Sequence, residues 1–413
     1  MRVENNPMNV ASTETQAVRV HRHGAMGTEF WLYLVDEGGE RGADGLSAEE
    51  RALVQAVWDE VDRVEGVFSR FRESSEISRL NRLAALGPMV TDPEVFSLLL
   101  DGRRLWEKTG GAFDIALGRV SRAWGFAERM PRVPEEGARE EAEAAAGMAL
   151  VELDEAWRTV GFARPGVELD LGAFAKGYAV DCALGVLRGV GAAGLINAGR
   201  SSIGAVGEPF ESGWRVEVRA PVLGERDGVA LPPISAKNAE KDGAPGYDRS
   251  HPSHKNKDVA RVGHPEFVAK VEDTEFVSGT GHPECSGYPA ENVGRVLRAV
   301  ALHGRALGSS GIMEQKFEEG GRVYSHLLDP RKLGGDGEGR GGVASAETGQ
   351  TLQVTVLAES AAEADALSTA LFVLGPDEGA AVMERFENCA ALWAYQDAAG
   401  IGTREWNWPR ERH

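Results

Sequence analysis

Two hydrophobic periods meet in Glu168-Leu-Asp-Leu-Gly-Ala-Phe-Ala-Lys-Gly-Tyr-Ala-Val-Asp181. Apolar residues alternate with polar ones from Val167 to Leu171, as in a strand, and after Gly172 the apolar spacing becomes that of a helix. A strand-to-helix turn exposes unpaired backbone N–H groups and the positive end of a helix dipole. Lys176 adds a positive charge at that point. The segment therefore predicts either a turn that holds a phosphate or a tight turn followed by a solvated lysine.

Length, charge and cysteine content restrict the class of protein. A chain of 413 residues forms one large domain or two ordinary ones, and 42% hydrophobic with 26% charged residues is typical of a globular protein. The net charge of −19 argues against non-specific binding to nucleic acid or anionic membranes. The three cysteines are too widely spaced for a disulfide framework or a cysteine zinc site: Cys182, Cys285 and Cys389.

The N-terminal sequence bears on the cellular compartment. Residues 1–17 are polar and are expected to form a disordered lead. No signal peptide, lipid-anchor cysteine or run of 18 apolar residues is visible, so we expect no transmembrane segment. The sequence as written predicts a cytoplasmic protein, although a misplaced start codon would hide an export signal.

Helices and strands are mixed along the chain without regular βαβ repetition, which favours an α+β fold over a doubly wound sheet. Ser47 and Glu50 form a capping-box pattern before the first helix. Helices are predicted at 48–67, in the segment that follows the polar turn at Ser69, and at 93–108, 174–188, 360–374 and 376–387. Strands are predicted at 30–34, 150–172, 194–199, 203–206, 214–218, 296–302, 322–328, 352–358 and 390–395.

The composition changes between about residues 224 and 292. This stretch is rich in Gly, Pro, Lys, His and Ser, and it has little apolar periodicity. We interpret it as a disordered low-complexity insertion within the domain. A metal site is the alternative, although the spacing matches no known ligand pattern for the histidines of the stretch: His251, His254, His264 and His282.

A carboxylate and a hydroxyl share one face of a predicted helix. Asp365 and Thr369 are four residues apart, so their oxygens project from the same side. Such hard oxygen ligands suit Mg²⁺ better than Zn²⁺. Alternatively, Asp365 lies near the start of the helix as an ordinary partner of the helix dipole. The surrounding residues from Ala364 to Leu374 are nearly all apolar, and a lone carboxylate among them needs a buried partner such as a cation.

Two further features have both a functional and a structural interpretation. His326 follows Tyr324 in a strand-like segment, where it either orients a phosphate or acts as a base, or is a plain surface histidine. Phe71 follows a polar turn, and Phe113-Asp114 follows a Gly-Gly-Ala turn. Either aromatic ring stacks on a planar ligand or belongs to the core.

Taken together and in this order, these segments resemble the ApbE family, the FAD:protein FMN transferases. The resemblance covers nearly all of residues 18–395 apart from the insertion. Its motifs are Met26-Gly-Thr28, Ser69 to Asn81, Gly111-Ala-Phe-Asp114 with Trp124-Gly-Phe126, Asp170 to Asp181, Asn197-Ala-Gly199, Ser310-Gly311, His326-Leu-Leu-Asp-Pro330 and Ala364 to Ala370.

The resemblance implies an ApbE-like (T-fold-like) α+β fold of mixed sheets with packed helices in a single catalytic domain. That domain would span residues 18–395, interrupted by 224–292, and residues 396–413 would form a C-terminal tail. It also implies an enzyme that uses FAD and Mg²⁺, attaches FMN to a threonine of a target flavoprotein and releases AMP.

The resemblance also implies roles for particular residues. Mg²⁺ would be held by the carbonyl of Ala173 and by Asp365 and Thr369. His326 would lie near the metal and pyrophosphate, and it and Asp365 would be the catalytic residues. The flavin nucleotide would contact His326 and the following residues: Met26, Phe71, Ala112, Phe113, Asp114, Asp170 and Lys176.

Some positions depart from the family pattern, and the activity has alternatives. Asn197-Ala-Gly-Arg-Ser201 stands where the family usually has Asn-x-Gly-Gly-Asp, and Asp329-Pro-Arg-Lys-Leu-Gly334 replaces Asp-Pro-Arg-Thr-Gly. The lipoprotein export signal common in the family is also missing. The alternatives to the transferase are a Mg²⁺-dependent FAD pyrophosphatase, in which water replaces the threonine, and a catalytically silent FAD-binding protein.

Overall fold

The structure is a computed structural model. It describes residues 18–36, 38, 41–42, 45–199, 201–208, 213–221, 259–260, 268–271, 296–312, 316–319, 322–333, 343–345, 351–397 and 400–410. The helices are α1 (Ala48–Phe68), α2 (Glu76–Leu83), α3 (Pro93–Lys108), α4 (Gly118–Ala123), α5 (Glu136–Ala144), α6 (Ala175–Val190) and α7 (Ala361–Met383).

The strands are numbered in chain order. The first nine are β1 (Val18–Ala25), β2 (Thr28–Val35), β3 (Met89–Val90), β4 (Val151–Asp154), β5 (Thr159–Phe162), β6 (Gly194–Ala198), β7 (Ser202–Val206), β8 (Trp214–Arg219) and β9 (Val259–Ala260). The others are β10 (Val268–Val271), β11 (Val296–Leu302), β12 (Ala306–Gly311), β13 (Lys316–Glu319), β14 (Arg322–Leu328), β15 (Val343–Ser345), β16 (Thr351–Ala358), β17 (Ala390–Asp397) and β18 (Gly400–Trp406).

A nine-stranded antiparallel sheet forms the centre of the fold. Its order is β18-β17-β16-β12-β7-β6-β2-β1-β9, and the described residues form three smaller sheets as well: β10-β8-β11, β13-β14-β15 and β3-β5-β4. Among the described strands, the one parallel pairing joins β10 to β8. This architecture of sheets and packed helices is the predicted α+β class.

Both faces of the central sheet are covered. In β2, Phe30 and Leu32 join the core beneath α1, α6 and α7, whereas Tyr33 points to the opposite core with Trp214 of β8. This follows from the two-residue period of a strand. All eight residues of β16 are buried because the strand lies centrally between the two layers. A smaller aromatic core around Trp124 packs β13 and β14 against α4.

Most helices and strands lie where the hydrophobic periodicity predicts them, and capping residues mark where helices begin. Ser47 accepts a hydrogen bond from the backbone N–H of Glu50 at the start of α1. The reciprocal half of the capping box is absent among the described contacts, because the Glu50 carboxylate contacts His21 and Arg19 of β1 instead. The two helices predicted near the C-terminus both belong to α7. A kink at Gly375 lies between them, and its φ of 72° favours glycine.

Three boundaries differ from the sequence predictions. The predicted strand at 150–172 is the hairpin β4–β5, and residues 163–172 lie outside the sheets. The prediction that residues 396–413 form a tail is wrong for the part that forms β18, because this strand pairs with β17 at the edge of the central sheet. Within 224–292, β9 pairs with β1 and β10 with β8, so the expectation of no regular structure is wrong for these residues. The lead at 1–17 and the four histidines of that stretch lie outside the described residues.

Candidate active site

The chain that leads into α6 belongs to no sheet and is held by the Asn81 side chain and by the backbone of Ile115 and Gly118. The backbone N–H of Leu169 donates to Oδ1 of Asn81 (2.8 Å), and Nδ2 of Asn81 donates back to the carbonyl of Leu169 (3.0 Å). The N–H of Asp170 donates to the carbonyl of Ile115 (2.7 Å). The alternating sequence pattern therefore reflects burial on one side without a sheet ladder.

Asp170 orders the turn at the start of α6. Its Oδ1 accepts a hydrogen bond from the N–H of Gly172 (3.0 Å), and its Oδ2 lies 3.2 Å from Nη2 of Arg70. The Arg70 side chain is only 7% exposed, and its guanidinium also donates to the carbonyl of Gly118. Asp170 thus joins the polar turn before α2 to the turn before α6, two segments that the sequence analysis placed together only through the family resemblance.

Helices α6 and α7 cap each other near their N-termini. Oδ2 of Asp365 in α7 accepts the N–H of Gly177 in the first turn of α6 (2.9 Å). In return, Asp181 of α6 accepts the N–H groups of Ala361 and Ala362, the first two residues of α7 (2.8 and 2.9 Å). Each carboxylate therefore satisfies N–H groups that the other helix leaves unpaired.

Two glycines allow this close approach. A Cβ atom on Gly177 would overlap the carbonyl of Ala361, and a Cβ atom on Gly308 of β12 would overlap the backbone of Ala364 and Asp365. The backbone of α7 consequently lies directly against α6 on one side and against β12 on the other. The position of Asp365 is fixed by backbone contacts rather than by flexible side chains.

Asp365 is a buried carboxylate with one unused oxygen. Its Oδ2 also accepts a hydrogen bond from Oγ of Ser202 (2.6 Å), whereas Oδ1 has no hydrogen-bond partner among the described residues. Burial raises the pKa of Asp365 from 3.8 to about 7, against the opposing effect of the nearby positive charge of Lys176. A buried carboxylate oxygen of this kind needs either a proton or a cation.

Thr369 follows Asp365 by one helical turn and belongs to a group of hydroxyls. Its Oγ1 lies 3.0 Å from Oγ of Ser310, which lies 2.8 Å from Oγ of Ser368. Ser368 donates to the backbone carbonyl of Asp365 (2.9 Å). The structure thus brings the carboxylate and hydroxyls of α7 to the end of β12.

Ala173 lies on the exposed turn directly before α6. The N–H four residues further on, that of Gly177, donates to Asp365. No backbone N–H in the described part of the chain donates to the Ala173 carbonyl. The carbonyl named by the family resemblance is therefore an available acceptor beside the helix that Asp365 caps.

Residues 112–114 form part of the core. Phe113 is 1% exposed and packs edge-on against Phe174, with ring centroids 5.8 Å apart, so its ring is not presented to a ligand. The oxygens of Asp114 accept the N–H groups of Ala116 (2.7 Å) and Met148 (2.8 Å), and burial raises the pKa of Asp114. Ala112 is buried as well. A flavin contact by these three residues stays a prediction, and for Phe113 the structure favours the core interpretation over ring stacking.

The remaining predicted ligand residues lie on turns and on an outer sheet. Phe71 is 71% exposed, and the Arg70 guanidinium lies 4.8 Å from its ring centroid. Met26 occupies the β1–β2 turn with a φ of 52°, which is uncommon for a residue with a side chain. His326 is partly exposed on β14, a strand that contacts α7. Arg200, the departure from the family pattern, lies outside the described residues.

Sequence reasoning missed Ser202 and the capping role of Asp181. Both contacts join residues far apart in the chain, so no local pattern signals them.

In the described ranges, no group of three or more His, Cys, Asp or Glu side chains could hold a metal ion. A cation site here would instead combine one carboxylate with hydroxyl and carbonyl oxygens. None of the helices described is long and apolar enough to cross a membrane.

Comparison with known proteins identifies the family. A family model described as "ApbE family" matches residues 26–239 and 279–393, the larger part of the chain. The chain belongs to the ApbE family. The unmatched residues 240–278 lie within the predicted insertion.

Curated relatives and solved structures agree with this assignment. ApbE-family relatives named "FAD:protein FMN transferase" include one from Treponema pallidum, 26% identical over 87% of this chain and 82% of the relative. One from Haemophilus influenzae is 25% identical over the same shares. The structure of Pseudomonas stutzeri flavinyl transferase ApbE in its apo form is 25% identical, with a TM-score of 0.63 over 94% of this chain and 95% of that one.

Proposed function

We propose that this ApbE-family protein is a FAD:protein FMN transferase that attaches FMN to a threonine of an acceptor protein in a Mg²⁺-dependent reaction. The names of its relatives support flavin transfer from FAD to a protein. The observation that carries the proposal is Asp365, whose buried Oδ1 has no partner in the described structure and lies one helical turn from Thr369.

The residues present fit a magnesium ion. Asp365, Thr369 and the carbonyl of Ala173 would hold it, and they supply only hard oxygen ligands, which Mg²⁺ prefers. Three protein ligands leave coordination positions for water and for phosphate oxygens of a substrate. When bound, the ion would supply charge neutralisation at the pyrophosphate.

The protein itself supplies further positive potential for an anionic substrate. Lys176 lies in the first turn of α6, where the helix dipole also favours negative charge. In a chain with a net charge of −19, such local features are needed to attract the FAD pyrophosphate. Phe71 offers an exposed aromatic face on which a planar ring can stack.

His326 is our candidate for the general base. In the proposed reaction the acceptor hydroxyl oxygen forms a bond to the phosphorus of the FMN half of FAD. The bond from that phosphorus to the bridging oxygen breaks, AMP leaves with that oxygen, and His326 takes the hydroxyl proton. The contact of β14, the strand that carries this histidine, with α7, the helix of Asp365, supports the proposal.

The test is incubation of the full-length protein with FAD, Mg²⁺ and a candidate flavoprotein domain, followed by mass spectrometry of the acceptor. We expect an FMN adduct on a threonine together with AMP. AMP without an adduct would indicate the FAD pyrophosphatase, and bound FAD without turnover would indicate a silent binding protein. Asp365→Asn should abolish the reaction.

A matched pair of histidine variants tests the proposed base. His326→Asn should slow transfer at saturating FAD, with the loss concentrated in kcat, whereas His303→Asn, on an exposed turn beside Glu208, should react at the normal rate. Equal rates for His326→Asn and the unaltered protein would exclude His326 as the base.

A further inference from the structure

We propose that Ser202 is a positioning residue that occupies one oxygen of Asp365, so that the carboxylate binds a cation through the other oxygen only, and that this contact makes the site select Mg²⁺ over Ca²⁺. The inference deepens the proposed function and rests on it for the identity of the cation site. It concerns the choice of ion rather than the transfer reaction.

The hydrogen bonds of Asp365 are unequally divided between its two oxygens. Oδ2 accepts from both Oγ of Ser202 (2.6 Å) and the N–H of Gly177 (2.9 Å). Oδ1 accepts none from the described residues, although it is buried. A carboxylate that is free to bind a cation through both oxygens would not show this arrangement.

The strand register fixes Ser202 in this position. Ser202 is the first residue of β7 and pairs with Ala198 of β6 and Gly308 of β12, so strands hold it on both sides. Gly308 has no side chain to separate the sheet from α7, which brings the Ser202 hydroxyl within reach of Asp365. Ser202 is 0% exposed, so no water competes for its hydroxyl.

Engaging Oδ2 penalises the larger ion. Ca²⁺ takes six to eight oxygen ligands and often binds a carboxylate through both oxygens, whereas Mg²⁺ is octahedral and takes one oxygen from each carboxylate. Binding through both oxygens of Asp365 would require the loss of the hydrogen bonds from Ser202 and Gly177. Binding through Oδ1 alone leaves both intact, so the contact favours Mg²⁺.

The test is calorimetric titration of the full-length protein, free of FAD, with Mg²⁺ and with Ca²⁺. We expect the unaltered protein to bind Mg²⁺ more tightly. In Ser202→Ala, the ratio of the two affinities should shift toward Ca²⁺ by about tenfold, the effect of losing one strong hydrogen bond. Ser202→Cys keeps nearly the same shape with a weak donor and should shift the ratio in the same direction.

Ser309→Ala is the matched control. Ser309 is buried on the neighbouring strand β12, and its hydroxyl bonds to Thr355 rather than to Asp365. This variant should keep the ratio of the unaltered protein. Thermal melting of each variant establishes that it is folded, and Ser202→Cys decides the question if Ser202→Ala does not fold.

Three results would overturn the inference. These are an unchanged affinity ratio in a folded Ser202 variant, a comparable shift in Ser309→Ala, or equal affinity of the unaltered protein for both ions. Failure of the proposed function has a different signature, because metal binding and its selectivity would persist while no FMN adduct forms on any acceptor.

Discussion

The stabilisation of the protein by Mg²⁺ should depend strongly on pH because Asp365 competes for a proton and for the cation. Its pKa is about 7 in the folded protein, above the ordinary value of 3.8. Between these two values the folded state keeps a proton that the unfolded state has released. The stability of the metal-free protein should therefore fall as pH rises from about 4 to about 7.

The magnitude follows from the same shift. A shift of about three pH units corresponds to about 4 kcal/mol of destabilisation of the metal-free protein above pH 7, as an order of magnitude. Mg²⁺ must displace the proton below pH 7, so its apparent affinity should fall about tenfold for each pH unit, or about 1.4 kcal/mol. From pH 8 to pH 6 we expect the apparent affinity for Mg²⁺ to fall about tenfold.

The assay is thermal unfolding at pH 5.5, 6.5, 7.5 and 8, with and without a fixed excess of Mg²⁺. The rise in Tm caused by Mg²⁺ should be small at the lowest pH and should grow until about pH 7.5. Asp181 and Asp114 also have raised pKa values, so Asp365→Asn provides the reference that isolates this carboxylate. A rise in Tm that is equal at pH 5.5 and pH 8, or that persists in Asp365→Asn, would refute the reasoning.

Three variants test other parts of the site. Gly177→Ala places a Cβ atom against the carbonyl of Ala361 and should destabilise the protein by about 3 kcal/mol or more, as thermal melting would show; a stable variant would mean that α6 and α7 can separate. Asp181→Asn cannot accept both N–H groups at the start of α7, so Mg²⁺ affinity measured by calorimetry should fall, and unchanged affinity would contradict the capping role. Phe71→Ala, at an exposed position, should change the free energy of unfolding by less than about 0.5 kcal/mol yet weaken FAD binding in a fluorescence titration; unaltered FAD affinity would exclude a stacking role.

Local patterns predicted most helices and strands because amphipathic period and capping are properties of neighbouring residues. The strand-like pattern before Gly172 misled because alternating burial does not require a sheet. Here the Asn81 side chain pairs with the backbone of Leu169, and the backbone of Ile115 pairs with that of Asp170, without forming a ladder. The edge strand β18 was missed because its exposed side weakens the apolar signal. Phe113 shows what a single residue cannot predict, because the sequence does not distinguish an aromatic ring in the core from one that contacts a ligand.

In the candidate site, too, the contacts between residues close in the sequence were predictable and the contacts between distant residues were not. Asp365 and Thr369 were predicted as a pair because four residues of helix place their side chains on one face. The contacts of Asp365 with Gly177 and Ser202 cross 188 and 163 residues of sequence, and nothing near Asp365 signals them. The number of oxygens that Asp365 offers to a cation therefore depends on tertiary structure.

The reciprocal caps explain how an acidic protein can keep two carboxylates close together in its interior. Asp181 and Asp365 repel each other, and burial raises the pKa of both. Each nevertheless accepts hydrogen bonds from the N-terminal turn of the other helix, where the dipole favours negative charge. The caps use both oxygens of Asp181 but only one of Asp365. The remaining electrostatic cost is thus concentrated on Oδ1 of Asp365, and a bound cation would offset it. Metal binding should then stabilise the whole junction of α6, α7 and β7, the elements on which substrate binding is proposed to depend.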